Sequence, residues 1–363
     1  MEMLVMDKEF WRNKKVFVTG HTGFKGSWMS LWLKELGAQV TGFALAPPTS
    51  PSHFDLINLE NKIDSHIGDI REIGFLKEVI YSCQPEIVIH MAAQSLVLDS
   101  YEDPIATYMT NVIGTLHVFE AVRQCSSVKT VINITTDKCY ENKEWCWGYR
   151  ENEPMGGHDP YSSSKGCAEL LTKSYQKSFF TSDSGVNLAS VRAGNVIGGG
   201  DWAENRLIPD FIKAIISGEP AIIRSPDSIR PWQHVLEPIA GYLILAEKMS
   251  SDVGRNFVGG WNFGPADIDV QTVSQISDKL CNFWGEGVSW KIEDQNKEHP
   301  HEATYLKLDC SKARGEIGWK PLLDLDKALD WIVEWYKCFQ QNGDMTEITL
   351  RQIRRYQEIL DSN

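Results

Sequence analysis

The chain is predicted to fold as an α/β protein, a doubly wound parallel sheet with a smaller mixed α/β substrate-binding lobe. Three observations support this. Short apolar bursts alternate with helical patterns through the first half of the 363 residues, which is the order that builds a parallel sheet. The first burst runs straight into a turn with three regularly spaced glycines and then a helix. After Val196 the alternation gives way to glycine-rich and irregular sequence.

The elements follow in order. "KKVFVTG" is a short buried strand, and in "SWMSLWLKELG" Trp28, Leu31, Trp32 and Leu36 recur at helical spacing before Gly37 closes the helix. "AQVTGFAL", "PEIVIHMAA", "KTVINITTD" and "VNLASVRAGNVIG" are the next strands, with helices at about 72–83, 106–124 and 162–181 between them. "RLIPDFIKAIISG" predicts a helix ending at Gly218, and a helix and strand within about 235–262 return to the first domain. The division is a nucleotide-binding domain over 1–195 and a substrate lobe over 196–234 and 263–345. A terminal surface helix covers 346–363.

Bulk composition excludes several classes. A formal net charge of −13 opposes non-specific contact with nucleic acid or an anionic membrane surface. An anionic substrate must therefore be held by a few local arginines. No run approaches the ~18 apolar residues of a membrane span, and the N-terminus lacks the apolar core of a signal peptide. Eight scattered cysteines with no C-x-x-C pair indicate reduced thiols in a cytoplasmic protein.

The glycine turn is Gly20, Gly23 and Gly26, with Thr22, Phe24 and Lys25 between them. Glycine permits the tight turn and lets backbone approach a pyrophosphate, while the N–H groups at the helix start meet the phosphates. Downstream, "DPYSSSKGCAEL" carries Tyr161 and Lys165, four apart and on one helix face. A phenol with a reference pKa near 10 needs neighbouring positive charge to act as a base at neutral pH.

The T-G-x-x-G-x-x-G spacing resembles the fingerprint of the extended short-chain dehydrogenase/reductase family, which acts on nucleotide sugars. That resemblance implies a Rossmann-type domain binding NAD, with Asp69 on adenine and Ile70 beside it. It also implies Ala92, Ala93 and Gln94 beside the nicotinamide ribose, and Asn111 bracing the active-site helix. Thr136, Tyr161 and Lys165 would then act on the reacting hydroxyl.

"TTDKCYEN" narrows the branch, because 4,6-dehydratases place an acid where epimerases have small or neutral residues. Asp137 matches that acid and would protonate a departing C6 hydroxyl if a dry pocket raises its pKa. Lys138 stands where many dehydratases have the glutamate that removes the C5 proton. As a base it would have to be neutral, a fall of roughly 3 pKa units, or about 4 kcal/mol; otherwise it stays charged and stabilises the enolate or orients Asp137. "GHDPYSSSK", "RPWQHVLEP" and "HPHEATYLKLDCSKARGEIGWKP" resemble the CDP-glucose 4,6-dehydratase branch over about 12–335. The implied substrate is a CDP-sugar, and the implied assembly a homodimer or dimer of dimers. Substrate contacts carried over are Asn195, Arg206, Leu207, Pro209, Arg230, His301 and Tyr305. The spacing of His299, His301, Asp309 and Cys310 does not make a metal site.

One expected feature is missing. Between Glu35 and Asp55 there is no acidic residue for the adenosine 2′-hydroxyl and no Lys or Arg for a 2′-phosphate. NAD held by weaker backbone contacts is the expectation.

Overall fold

The computed structural model describes residues 6–266, 269–293 and 305–362. The strands among them are β1 (Lys15–Thr19), β2 (Gln39–Ala44), β3 (Asp64–Ile67), β4 (Ile87–His90), β5 (Thr130–Ile134), β6 (Asn187–Ala193), β7 (Asn195–Ile197), β8 (Ala221–Ile223), β9 (Ile229–His234), β10 (Gly259–Phe263), β11 (Val270–Thr272) and β12 (Trp290–Ile292). Seven of these form one sheet in the order β10-β6-β5-β4-β1-β2-β3, with every pairing parallel. Strands buried on both faces read as continuous apolar runs, and β4 and β5 are buried at every position. β3, "DSHI", lies at the sheet edge and is half-buried at best, which is why no apolar burst announced it.

The strand order reverses between β1 and β4, so the crevice beyond their C-terminal ends is the natural ligand site of such a sheet. Helix Leu236–Met249 leads to β10, which pairs with β6. The lobe adds a three-stranded sheet, β11-β9-β7, and the pair β12-β8.

Sheet and lobe share one apolar core. Its cluster includes Trp28 and Trp32 from helix Phe24–Glu35, Trp261 from β10, Trp319, and Trp331 and Trp335 from helix Leu325–Gln340. Several of these indoles find a partner for their N–H. Trp28 donates to Gly199 O at 2.9 Å, Trp335 to Thr349 Oγ1 at 3.0 Å and Trp319 to Glu237 O at 3.2 Å. The terminal helix exposes Glu347, Arg351, Arg354 and Glu358 on one face and packs the other into the core. Met345–Asp361 buries Met345, Ile348, Thr349, Gln352, Ile353, Tyr356, Gln357 and Leu360, and Tyr356 donates to the buried Glu237 carboxylate at 2.7 Å. It closes the core over helix Phe24–Glu35, because its apolar stripe recurs with the helical period.

The single helix expected over 106–124 is three pieces. Pro104–Tyr108 passes into a widened turn at Met109–Gly114 before Thr115–Arg123 resumes the ordinary helix. Such wide turns favour functional sites, and this one carries Asn111.

Candidate active site

A cleft of about 1030 Å³ opens at the crevice between β1 and β4. Its floor is the glycine turn. Gly20 has φ +78°, the left-handed region that glycine enters at no steric cost. A Cβ on Gly26 would lie 2.0 Å from Gly20 O, so only hydrogen fits where the helix crosses the turn. This bare backbone cradle, facing the first turn of helix Phe24–Glu35, suits a dinucleotide pyrophosphate. Gly23, with nothing nearer than Gly20 O at 3.4 Å, is the least constrained of the three. Thr22, Phe24 and Lys25 join the lining, and burial pulls the Lys25 ammonium down to about 8, with Lys165 and Arg206 adding repulsion.

Across the cleft, the β4 end is held by a chain of hydroxyls. Thr115 donates to Asn111 O at 2.7 Å and lies 3.0 Å from His90 Nε2. Its single proton is thereby used, so His90 carries its proton on Nε2 and accepts from Thr19 Oγ1 on Nδ1 at 2.7 Å. Thr19 Oγ1 then accepts from the Met91 and Ala92 N–H groups at 3.0 and 3.1 Å. Burial keeps this histidine neutral, its pKa near 3. Ala92, Ala93 and Gln94 line the cleft. Asn111 joins the Gln94 backbone to Ser164 on the Tyr161 helix, with its Nδ2 2.9 Å from Ser164 Oγ. Asp69 and Ile70 line the far wall, and the Arg71 guanidinium, 2.6 Å away, keeps the Asp69 carboxyl below its ordinary pKa.

The wall after β2 consists of Leu45, Ala46, Pro48 and Thr49. Leu45 O accepts from Thr22 Oγ1 at 2.8 Å, and the first acid beyond, Asp55, is taken by Ser52 at 2.6 Å. The position usually filled by a carboxylate is therefore apolar and hydroxylic.

The chemistry-bearing side chains meet at the end of β5. Thr136, Asp137, Lys138, Tyr161 and Lys165 all line the cleft. Thr136 Oγ1 donates to Asp137 Oδ1 at 3.0 Å, and Thr136 is the first of the groups that lower the Tyr161 phenol's pKa. Asp137 is buried, and Gly194 leaves room for it, since a Cβ there would sit 3.1 Å from Asp137 Oδ2. Burial raises the Asp137 pKa, with Lys138, the Thr136 hydroxyl and Arg230 pulling the other way. That is the balance a carboxylic acid needs to remain a proton donor.

Tyr161 departs from expectation. The protein's own surroundings push its phenol up to about 12, chiefly by burial, against lowering by Thr136 and Arg206. Lys165 is not among the chief groups that lower it, and the Lys165 ammonium donates to Ile134 O at 3.3 Å. Burial draws Lys165 down to about 8, opposed by Glu169 and Cys139.

Of the expected substrate contacts, Asn195, Arg206, Leu207, Pro209 and Arg230 line the cleft. Arg206 is oriented by Asp201 at 3.0 Å, with its other nitrogen 3.2 Å from Ser95 Oγ. Asp201 was not foreseen from sequence, since it lies in a glycine-rich loop without periodicity. Tyr305 is not on the cleft wall; its carbonyl accepts from Asn142 at 3.1 Å. His301 lies outside the described residues.

Comparison with known proteins places this architecture. The model of the GDP-mannose 4,6-dehydratase family matches residues 17–331. The chain belongs to that family. Within it, the chain is 55% identical to the CDP-glucose 4,6-dehydratase of Salmonella typhimurium over 97% of this chain and 98% of that protein. It is 26% identical to the dTDP-glucose 4,6-dehydratase of Haemophilus influenzae, over 74% and 81% of the two. Among solved structures, the dTDP-glucose 4,6-dehydratase of Bacillus anthracis in complex with NAD superposes with a TM-score of 0.74 at 20% identity, covering 91% of this chain and 98% of that one. At that identity the likeness establishes the shared fold of the family.

Proposed function

We propose that this chain is a CDP-glucose 4,6-dehydratase, converting CDP-glucose to CDP-4-dehydro-6-deoxyglucose and water with NAD regenerated in each turnover. The observation that carries it is the acid at the end of β5: Asp137 is buried, its pKa is raised, and it accepts a hydrogen bond from Thr136, the residue that leads in lowering the Tyr161 phenol. A 4-epimerase has no use for a proton donor at that position. Bound NAD supplies a reversible hydride store, and the cradle of Gly20, Gly23 and Gly26, with Asp69, Ile70, Ala92, Ala93 and Gln94, is shaped to hold it.

Tyr161 accepts the C4 hydroxyl proton, and Thr136 aligns that hydroxyl. Because the phenol starts near 12, it must be assisted by positive charge in the assembled complex. Lys165 one turn away and Arg206 across the cleft are the cations this chain contributes. Once C4 is a carbonyl, the C5 proton is acidified, and Asp137 delivers a proton to the departing C6 oxygen. Lys138, half-buried beside Asp137, either takes the C5 proton or holds the enolate oxygen. Arg206 and Arg230 grip the diphosphate with planar forks that suit phosphate oxygens, which offsets the repulsion of a chain with net charge −13.

The chain has no helix, among the described residues, long and apolar enough to cross a membrane. We place the enzyme in the cytoplasm, its product feeding deoxysugar units of bacterial surface polysaccharide. A homodimer is supported by exposed apolar side chains on neighbouring helices: Ile105 at 76% exposed, Leu170 at 58% and Met109 at 41%. The deciding assay offers CDP-, dTDP-, UDP- and GDP-glucose with NAD and follows the alkali-absorbing 4-keto product. Turnover at least tenfold faster with CDP-glucose supports the assignment; preference for another base, or a C4-epimer as product, overturns it.

A further inference from the structure

Beneath the reacting groups lies an ion pair with no part in the chemistry above. Glu169 stands one turn beyond Lys165 on helix Pro160–Ser178, and Arg192 lies on β6. Their side chains are 3% and 4% exposed. The guanidinium clasps the carboxylate with both prongs, Nε to Oε1 at 2.9 Å and Nη2 to Oε2 at 2.7 Å. The same carboxylate accepts from Ser190 Oγ at 2.7 Å and from Thr135 Oγ1 at 2.5 Å. Thr135 immediately precedes Thr136 and Asp137. On its outer side, Arg192 Nη1 donates to the Tyr140 phenol and to Glu151 O at 3.1 Å. Tyr140 in turn donates to Asn262 on β10 at 2.8 Å. One buried pair thus touches the Tyr161 helix, the end of β5, β6, the segment following Asp137 and, through Tyr140, β10.

We propose that the Glu169–Arg192 pair is the positioning element of this active site. It ties the end of β5, and with it Thr136 and Asp137, to the helix bearing Tyr161 and Lys165, and it sets a carboxylate one turn from the Lys165 ammonium. The proposal rests on the catalytic roles assigned above. Stability alone does not account for such a pair, because well-packed apolar side chains of equal volume often serve a protein interior at least as well. What apolar groups cannot do is fix a strand end by directed hydrogen bonds while placing a negative charge one turn from an ammonium.

The charges around Lys165 come from several elements. Glu169 and Tyr161 share its helix, Arg192 stands behind Glu169 on β6, and Cys139 lies in the turn after Asp137. Lys25 approaches from the glycine turn and the neutral His90 from β4. Glu169 leads the groups that oppose the effect of burial on Lys165. Loss of its charge would leave Arg192 uncompensated in the same interior.

The test separates the tether from the charge. Thr135→Val cuts the tie to β5 and keeps the anion; Glu169→Gln removes the anion; Glu169→Asp keeps the anion on a shorter arm. Two readouts are taken on each full-length protein. One is kcat and KM for CDP-glucose, and the other is the titration midpoint of Lys165, from competitive acetylation with acetic anhydride across pH, read by peptide mass spectrometry. Thr135→Val should lower kcat at least tenfold with KM within threefold and the Lys165 midpoint unmoved. Glu169→Gln should also lower the midpoint by on the order of one unit, and Glu169→Asp should restore it without restoring kcat. A parental kcat in Thr135→Val, or an unmoved midpoint in Glu169→Gln, overturns the proposal. If Glu169→Gln does not fold, Thr135→Val and Glu169→Asp still decide it. The labelling needs no substrate, so failure of the parental protein to turn over CDP-glucose counts against the substrate assignment and leaves the Lys165 test standing.

Discussion

Replacing Gly26 with alanine would put a methyl carbon 2.0 Å from Gly20 O, 2.7 Å from Gly20 C and 2.9 Å from His21 Cα. These are backbone atoms and cannot swing aside. A carbon and an oxygen that are not bonded settle at about 3.3 Å or more, so turn and helix must part by more than about 1 Å. Overpacking of that kind costs about 1–3 kcal/mol of stability. The functional cost is of similar size, because a misplacement of about 1 Å at a working site is worth on the order of 10²-fold, or about 2.7 kcal/mol. The helix-start N–H groups would withdraw from the pyrophosphate, and NAD affinity should fall tenfold or more. Calorimetric titration with NAD measures this directly. Gly74→Ala serves as control, since a Cβ there meets nothing within 4 Å, and it should leave the affinity unchanged. A Gly26→Ala protein that binds NAD as tightly as the parent would refute the assignment of the cradle.

Three other outcomes follow from the site and core. Asp137→Asn should lower kcat for 4-keto product by 10²- to 10⁴-fold with KM within a few-fold, since the amide keeps the shape and cannot give up a proton to the leaving oxygen; unchanged kcat would remove Asp137 from the acid role. Arg206→Ala should raise KM for CDP-glucose at least tenfold by removing one fork from the diphosphate, and an unaltered KM would place the phosphates elsewhere. Glu237 is fully buried and burial raises its carboxyl from 4.5 to about 7, although it accepts from Leu322 N at 2.8 Å, Leu323 N at 2.6 Å and Tyr356. A carboxyl raised on folding stabilises most below its unfolded pKa, and that contribution is lost as pH rises through about 7. Glu237→Gln, which stays neutral, should gain relative to the parent between pH 5 and pH 8 by on the order of 3 kcal/mol, read as the change in urea midpoints; equal shifts in both proteins would contradict it.

The parts of this molecule that were legible in sequence are those where local chemistry dictates structure. The glycine turn is one, because Gly26 admits no side chain. The inner strands are another, because burial on both faces demands unbroken apolar runs, as in "IVIH" and "TVINI". Edge strand β3 was not legible, since half-exposed "DSHI" has no period and owes its conformation to pairing with β2. The three-residue strands β8, β11 and β12 likewise exist by tertiary pairing, while β7 reads as one strand with β6 and is set apart from it at Gly194. At the site, the Tyr161–Lys165 spacing was readable, but the direction of the ammonium was not. It donates to Ile134 O, a choice made by the strand end packed against the helix. Asp201 beside Arg206 and Glu169 beside Arg192 are pairs whose members lie 5 and 23 positions apart, and in each the partner is decided by the fold.

The central claim is that hydrogen leaves C4 of the hexose and returns to C6 of the same molecule inside one closed cleft. CDP-glucose deuterated at C4, turned over as a mixture with unlabelled substrate, tests it most directly. Deuterium should appear in the new methyl group of the very molecules that carried it. Label lost to solvent, or scrambled between molecules, would contradict the account.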